Sequence, residues 1–254
     1  MEIFDAHTHI NFRSKPEFEE LAKRDYKTVV TCAFYPIVPR GPDTLLDLFE
    51  LILKRYTGEI SGLDIYAALG THPRSIPKKD FESVLEELPE YLQKENVVAL
   101  GEVGLEEGSD EEKEVLRKQL EIARDVKSPV VLHTPRENKD EMLKEILRIL
   151  DEVKIDTNQV MIDHNDEKTT GGVLSKGFFA GLTTHPKKLD SNRAANIINN
   201  NIDHSDKIVL NSDMGYSTSN IFSLAEAIED LEKQLDSETL NLVANQNAKR
   251  FFQV

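Results

Sequence analysis

The sequence alternates from one end to the other between short apolar runs and charged, helix-like stretches. Eight runs have the near-continuous apolar character of strands covered on both faces: EIFDAHTH, KTVVTCAF, LDIYAALGT, NVVALGEVG, PVVLHT, NQVMIDH, GFFAGLTT and KIVLNSD. Eight strand–helix units predict a single-domain α/β fold, a (β/α)8 TIM barrel, over residues 1–254. An open, doubly wound sheet is the alternative, and it would divide the strand ends between the two walls of a crevice.

The stretches between the runs carry helix signals. Ser109 and Glu112 have the spacing of a capping box. The segment after the fifth run has an apolar stripe at the i, i+3, i+4 spacing of a helix that packs on a barrel: Met142, Leu143, Ile146, Leu147 and Leu150. The C-terminal segment SETLNLVANQNAKRFF is predicted to be a helix that closes the bottom or side of the barrel.

The charge balance excludes some partners. The chain has 31 Lys and Arg against 46 Asp and Glu, a formal net charge of −15. This charge opposes long-range attraction to nucleic acid or to an anionic membrane, so we expect neither an extended nucleic-acid surface nor membrane binding. The N-terminus has no signal-peptide pattern, and Cys32 is the single cysteine. We therefore expect a cytoplasmic location, while the oligomeric state stays open.

Histidines gather where the apolar runs stop. Six of the seven do so: His7, His9, His72, His133, His164 and His185. Glu102 and Asp213 occupy matching places, and only His204 lies elsewhere. In a barrel of parallel strands, all strand ends of one polarity converge on one face. Imidazoles and carboxylates gathered there predict a site for divalent metal ions.

Two of these positions point to metal ligation most directly. His7 and His9 form an H-x-H pair, whose imidazoles share one face of a strand because side chains alternate with a period of two. Glu102 stands in an apolar, glycine-containing run, where a carboxylate is rarely buried unless it is paired or metal-bound. Its two oxygens can bridge two cations. The alternative for Glu102 is a buried salt bridge to Arg74 or Arg136.

The ends of three later strands complete the predicted metal site. His133 and His164 end neighbouring strands beside Glu102, which favours ligation for both. Asp213 ends the eighth strand, which neighbours the first when the barrel closes. We predict that Asp213 is a ligand and also the catalytic base, because a carboxylate can take the proton of a bound water whose pKa falls toward ~7.

The loops after the strands are predicted to bind substrate. His72 in GTHP and His185 in TTHP are expected to contact the ligands or the substrate, with direct metal ligation as the alternative, and His72 is expected to assist catalysis. A positive rim is predicted from five loop residues: Arg40, Arg74, Arg136, Lys187 and Lys188. Arg74 and Arg136 could orient a phosphate or carboxylate group, since a guanidinium binds such groups through two parallel hydrogen bonds.

The ordered segments FDAHTH, GTHP, LGEVGL, VVLHTPR, IDH and SD resemble the TatD-like metal-dependent hydrolases of the amidohydrolase superfamily across nearly the whole chain. The resemblance implies a TIM barrel with one or two divalent ions, and hydrolysis of phosphodiester or related esters, including DNase activity in some members. It implies that one ion is held by His7, His9, Glu102 and Asp213. It implies that the other ion is held by Glu102, His133 and His164, so that Glu102 bridges the two ions. The segments HTPR and His164-Asn165-Asp166 depart from the family's H-x-R and His-Cys-Phe, so the resemblance covers the ligands better than the substrate loops.

These patterns predict a divalent-metal-dependent hydrolase that cleaves phosphoesters in a small anionic substrate or at a short nucleic-acid end. The ligand set contains no thiolate and suits zinc, manganese, nickel or iron, whereas magnesium seldom takes several imidazoles. One alternative is a PHP-type phosphoesterase with three ions. Another is a C–N or lactone hydrolase of the same superfamily, and a third is a metal-binding barrel without turnover.

Overall fold

The computed structural model describes residues 1–185, 188–215 and 219–254, and it confirms the TIM barrel. Lys187, one of the predicted rim residues, lies outside the described residues. The strands are β1 Ile3–Thr8, β2 Tyr26–Cys32, β3 Gly58–Ile60, β4 Leu63–Leu69, β5 Val97–Gly104, β6 Val130–His133, β7 Val160–Ile162, β8 Phe179–Thr183 and β9 Ile208–Asn211. All except β3 pair in parallel in the order β1-β2-β4-β5-β6-β7-β8-β9. The short β3 pairs antiparallel with β4 and was not predicted from the sequence.

Backbone hydrogen bonds close the barrel between its last and first strands. The amide of Asp213 donates to the carbonyl of His7 at 2.9 Å, and the amide of His9 donates to the carbonyl of Met214 at 2.6 Å. These contacts exclude the open, doubly wound alternative, whose edge strands stay apart. They also place the residues that follow β9 directly beside the H-x-H segment of β1.

Helices surround the strands and pack their apolar faces on the outside of the barrel. They are α1 Lys15–Ala22, α2 Asp43–Tyr56, α3 Glu82–Tyr91, α4 Asp110–Val126, α5 Lys139–Val153, α6 Thr170–Ser175, α7 Ser191–Asn200, α8 Ser223–Leu231, α9 Ser237–Asn241 and α10 Asn247–Phe252. Within the described part of the chain, none of the helices is both long and apolar enough to traverse a lipid bilayer.

The predicted start of α4 is confirmed, but the capping box differs from the prediction. The Ser109 hydroxyl accepts a hydrogen bond from the Glu112 amide at 3.2 Å. The Glu112 carboxylate accepts from the amides of Glu106, at 3.0 Å, and Gly108, at 2.8 Å, rather than serving as the reciprocal cap of Ser109. The Glu112 side chain thereby fixes the loop between β5 and α4, which carries Glu106 toward the barrel mouth.

An apolar cluster fills the amino-terminal half of the barrel, and every barrel strand contributes to it. The C-terminal segment closes this end, as predicted. Phe252 of α10 stacks on Phe4 with ring centroids 5.7 Å apart, and Phe251 lies 5.0 Å from Phe179. Because the amino-terminal half is packed with apolar side chains, the polar residues at the carboxyl ends of the strands line a cup rather than a channel.

Candidate active site

Glu102 stands at the centre of the cup, and its two oxygens face different imidazoles. Its side chain is 3% exposed. Oε1 lies 2.8 Å from Nδ1 of His133 and 3.2 Å from Nε2 of His164. Oε2 lies 3.3 Å from Nε2 of His7 and 3.6 Å from Nε2 of His9. The barrel therefore brings these five predicted site residues together from four strands, in an arrangement that suits a bridging carboxylate.

Asp213 joins the same group through the barrel closure. Its Oδ1 lies 3.3 Å from Nε2 of His9 and 3.8 Å from Nε2 of His7. Ligand atoms within 4.8 Å of one another form three sets among the described residues: His7, His9 and Asp213; His7, Glu102 and His164; His72, Glu102 and His133. All six predicted ligands thus meet in one place, although the sets differ from the division into two ions that the resemblance implies.

The donor atoms fit a divalent cation. The Nδ1 atom of His7 lies 2.5 Å from Oδ2 of Asp163, and Nδ1 of His9 lies 2.9 Å from the carbonyl of Cys32. Because these partners can only accept, both Nδ1 atoms carry the proton in the neutral rings, and both Nε2 lone pairs face Glu102 and Asp213. Nε2 of His7 is buried and has no hydrogen-bond partner among the described residues. Lone pairs that face carboxylates repel them unless a metal ion or a proton lies between; although burial opposes protonation, the charges of neighbouring groups, Glu102 among them, raise the pKa of His7 well above its usual value in the metal-free cup.

The two carboxylates of the cup favour their ionised forms. Although burial opposes ionisation, the charges of His7 and His133 hold the pKa of Glu102 well below its usual value. Burial also opposes ionisation of Asp213, yet the Lys188 ammonium holds the pKa of Asp213 well below its usual value. The cup therefore offers fixed negative charge to a cation.

Two of the predicted ligands have an unusual backbone conformation. His164 has φ of 60° and Asp213 has φ of 49°, and each lies two residues after the end of a strand. A non-glycine residue in this left-handed region costs on the order of 1 kcal/mol or more, and such residues cluster at functional sites. At these two positions the conformation turns the side chain into the cup instead of continuing the strand.

Asp163 is a site residue that the sequence analysis did not assign. Besides its contact with His7, its Oδ1 accepts from the amide of His164 at 2.6 Å. A Cβ at position 181 would lie 2.2 Å from this Oδ1, so Gly181 makes room for the carboxylate. Burial opposes ionisation of Asp163, but His164 and His7 lower its pKa. The sequence did contain a signal for Asp163, because it is a carboxylate within an apolar run, the feature from which Glu102 was predicted.

Lys188 lies deeper in the site than the predicted rim. Its ammonium contacts Oδ2 of Asp213 and lies 3.1 Å from Nδ1 of His164. Burial, followed by the Lys188 charge, lowers the pKa of His164 to about 4, so this imidazole is neutral near pH 7. Arg193 donates to the carbonyl of Lys188 at 2.8 Å and fixes its backbone. Lys139, also unassigned from the sequence, donates to the carbonyl of His164.

A cavity of about 720 Å³ opens above the cup. Arg74, Arg136 and Lys188 line it. Glu106, which the sequence analysis missed, lies 2.8 Å from Nε2 of His133 and 3.8 Å from Nε of Arg74. Arg74 therefore forms its ion pair with Glu106. The salt bridge between Arg74 and Glu102, which was the alternative to metal ligation by Glu102, is not the contact that Arg74 makes.

The two remaining predicted histidines differ in position. His72 is 1% exposed, and its Nε2 lies 3.8 Å from Oε2 of Glu102. His185 and Arg40 are not among the described residues that line the cavity. A substrate contact of His185, and the catalytic and ligand roles of the other site residues, stay predictions.

A barrel of eight parallel strands whose carboxyl-end cup gathers histidines and carboxylates is typical of metal-dependent hydrolases. Residues 4–253 match the family of TatD related DNases, and the chain belongs to this family. It is a metal-dependent hydrolase of that family, as the sequence motifs predicted.

Relatives cover the whole chain. An uncharacterized metal-dependent hydrolase of Methanocaldococcus jannaschii is 39% identical over 99% of this chain and 100% of its own. The crystal structure of a TatD-like protein from Archaeoglobus fulgidus is similar with a TM-score of 0.83 and 32% identity, and the match covers 99% of this chain and 100% of that one. The phosphotriesterase homology protein of Escherichia coli, solved with phosphate in its active site, has a TM-score of 0.76 at 14% identity over 99% of both chains, which shows a shared fold alone.

Proposed function

We propose that this protein hydrolyses phosphoester bonds in small anionic substrates or at short nucleic-acid ends. The observation that carries the proposal is a buried group of imidazoles and carboxylates with a lysine ammonium and arginine side chains on the wall above it. The phosphate in the active site of the E. coli protein of similar fold supports this substrate chemistry. A cytoplasmic location stays a prediction.

The cup offers ligands for two divalent ions. His7, His9 and Asp213, with Oε2 of Glu102, would hold one ion. Oε1 of Glu102, with His133 and His164, would hold the second. Divalent ions bound there would stabilise the charge that develops on the ester and lower the pKa of an attacking water toward ~7. Imidazole and carboxylate ligands suit zinc, manganese, nickel or iron.

Asp213 is the proposed proton acceptor. Its low pKa keeps it ionised at neutral pH, and its side chain, 20% exposed, reaches the cavity. Its Oδ1 faces His7 and His9, whereas its Oδ2 contacts the Lys188 ammonium. One oxygen can therefore accept a proton from the attacking water while the other is held in place.

The positive side chains of the cavity are the proposed substrate contacts. Lys188 and Arg136 can bind phosphoryl oxygens, and Arg74 is positioned at the entrance by Glu106 and by the Phe34 ring, 5.0 Å from its guanidinium carbon. A guanidinium can bind two phosphoryl oxygens at once. Because the chain carries a net charge of −15, we expect short or monomeric anions rather than long nucleic acid.

The test is hydrolysis of bis(p-nitrophenyl) phosphate by the purified protein with added Mn²⁺, beside elemental analysis and a lactone panel. We expect turnover that a chelator abolishes. Asp213→Asn should lower kcat at least about 100-fold, the scale of a general acid–base contribution, while most of the metal is retained. The control is Asp203→Asn, which alters an exposed residue of a remote helical turn.

Three results would contradict the proposal. Turnover of lactones without turnover of phosphoesters would assign the chain to the lactone-hydrolase alternative. Tightly bound metal without turnover of any ester would favour a binding protein. Near-normal rates in the Asp213 variant would remove its role as proton acceptor.

A further inference from the structure

His72 differs from the other imidazoles around Glu102 in the hydrogen bond that its Nδ1 makes. Pro73 follows it and has no amide hydrogen, so the first amide available to cap the short helical turn Pro73–Ser75 is that of Arg74. The Arg74 amide donates to Nδ1 of His72 at 3.0 Å. Because Nδ1 accepts this hydrogen bond, it carries no proton, and the neutral ring carries its proton on Nε2.

This tautomer is opposite to that of His7 and His9. Those two rings donate through Nδ1 and present Nε2 lone pairs, whereas His72 presents an Nε2–H. The same geometry excludes an imidazolium at position 72, since a protonated Nδ1 could not accept from the Arg74 amide. A ring with a proton on Nε2 cannot ligate a metal through that atom.

The Nε2–H of His72 is directed at the cup and is unsatisfied. The atom is buried and has no hydrogen-bond partner among the described residues. Oε2 of Glu102 lies 3.8 Å in front of it. An unpaired buried donor costs ~1–3 kcal/mol, so a function that uses this donor would explain its presence. The Phe34 ring, 4.9 Å away, and the His133 ring, 4.6 Å away, restrict any rotation of the imidazole.

We propose that His72 is a positioning residue that donates its Nε2–H to Oε2 of Glu102 and is not a metal ligand. A carboxylate oxygen has two lone-pair positions. One lone pair of Oε2 faces the Nε2 atoms of His7 and His9, and the other is available to His72. A small rotation of the Glu102 carboxylate shortens the 3.8 Å separation to a hydrogen bond. The dipeptide His72-Pro73 thus fixes the orientation of the bridging carboxylate.

This inference rests on the metal centre of the proposed function but not on the identity of the ester, so its first test needs no substrate. The protein is labelled with ¹⁵N in histidine and loaded with ¹¹³Cd, and the signals of His72 are assigned by their loss in His72→Gln. We expect a protonated Nε2 and a bare Nδ1 for His72, before and after loading, with no splitting by cadmium. Nε2 of His7 and His9 should be split. Splitting of a His72 nitrogen, or a proton on its Nδ1, would overturn the proposal.

Two variants provide the second test. His72→Gln keeps an N–H donor near the position of Nε2, and His72→Phe keeps the ring without any nitrogen. Loss of a residue that orients a ligand typically lowers metal affinity or activity 10- to 100-fold. We expect a loss of about this size in His72→Phe and a smaller loss in His72→Gln, measured by competition with a chromophoric chelator. The Co²⁺ absorption spectrum should keep its coordination number in both variants.

The matched control is His204→Gln, because His204 is exposed on a helical turn away from the cup. It should bind metal as the wild type does. Wild-type affinity in His72→Phe would overturn the proposal, and so would an equal loss in the Gln and Phe variants. A failure to hydrolyse phosphoesters would contradict the proposed function and leave these metal-binding results unchanged.

Discussion

The carboxylate of Asp163 accepts a hydrogen bond of 2.5 Å from Nδ1 of His7, a residue 156 positions earlier in the chain. The contact fixes the His7 tautomer and leaves its Nε2 lone pair facing Glu102 and Asp213. A carboxylate behind a ligating histidine also makes the imidazole more basic. We therefore expect Asp163 to control metal affinity through His7, without contacting the metal itself.

Asp163→Asn should weaken metal binding or activity by about 10- to 100-fold, as is typical for partners behind a ligating histidine. The Asn side chain is similar in size, but its amide can present a donor to Nδ1 and so favour the wrong tautomer. Metal affinity and kcat are the measurements. Asp156→Asn changes an exposed carboxylate that caps the turn before β7 and should alter neither value. Unchanged metal affinity and kcat in Asp163→Asn would show that the contact is dispensable.

Lys188→Met should reduce the preference for anionic substrates. The ammonium lies in the cavity wall against Asp213, so its loss removes a charge-assisted contact of ~1.5–3 kcal/mol, or roughly 10- to 100-fold in kcat/KM. We expect this loss for a phosphoester and a clearly smaller one for a neutral ester. Lys188→Arg should recover part of the difference, and Lys168→Met, at an exposed loop position, should match the wild type. Equal losses for charged and neutral esters would instead assign Lys188 to the support of Asp213 alone.

Metal removal should lower thermal stability, because metal ions held by the cup bind the folded protein and so stabilise it relative to the unfolded chain. A ligand present at 100 times its Kd stabilises a fold by ~2.7 kcal/mol. For a chain of this size that corresponds to a decrease in Tm of about 5–10 °C on chelation, reversed by added metal. Differential scanning fluorimetry with and without a chelator measures the shift. The shift in Tm on chelation should be mostly lost in His7→Asn and should be retained in His204→Gln.

Asp5 should make a contribution to the stability of the metal-free protein that falls between acid and neutral pH, opposite in sign to the contributions of Glu102, Asp163 and Asp213, whose pKa values are lowered. Asp5 is fully buried and accepts from the amide of Ser212 at 2.9 Å. Burial raises the pKa of Asp5 from 3.8 to about 7. The pKa of Asp5 is higher in the folded protein than in the unfolded chain. The contribution of Asp5 to the free energy of unfolding is therefore complete below pH 3.8 and is lost as the pH rises to about 7.

Asp5→Asn keeps an acceptor for the Ser212 amide and cannot ionise, so it should remove this part of the pH dependence. The upper limit is about 4 kcal/mol, because one pKa unit corresponds to ~1.4 kcal/mol. Urea unfolding of both proteins at a series of pH values, in the presence of a chelator, measures the difference. Parallel stability curves for the wild type and Asp5→Asn would contradict the buried, protonated state.

The alternation of apolar runs and helix-like stretches was sufficient to predict the barrel, because each strand of a parallel barrel is buried on both faces and reads as a continuous apolar run. The same logic located Glu102, His7 and His9, since polar side chains at such positions need a partner. The strand β3 escaped prediction because Gly58–Ile60 is too short to produce a pattern. The hydrogen bonds from the Glu106 and Gly108 amides to the Glu112 carboxylate were also not predicted, because several loop conformations could have placed amides near this side chain.

By itself, the sequence determined the fold class and the kinds of group at the strand ends, because burial and periodicity are local properties. Only the tertiary structure decided how those groups pair: Asp163 with His7, Lys188 with Asp213, and the Arg74 amide with His72. The first of these pairs joins residues of strands that are distant in the sequence. In all three, the barrel closure and the loop turns bring the paired atoms within hydrogen-bonding distance. Which nitrogen of each imidazole carries the proton follows from those pairs, and so does the chemistry that each imidazole can perform.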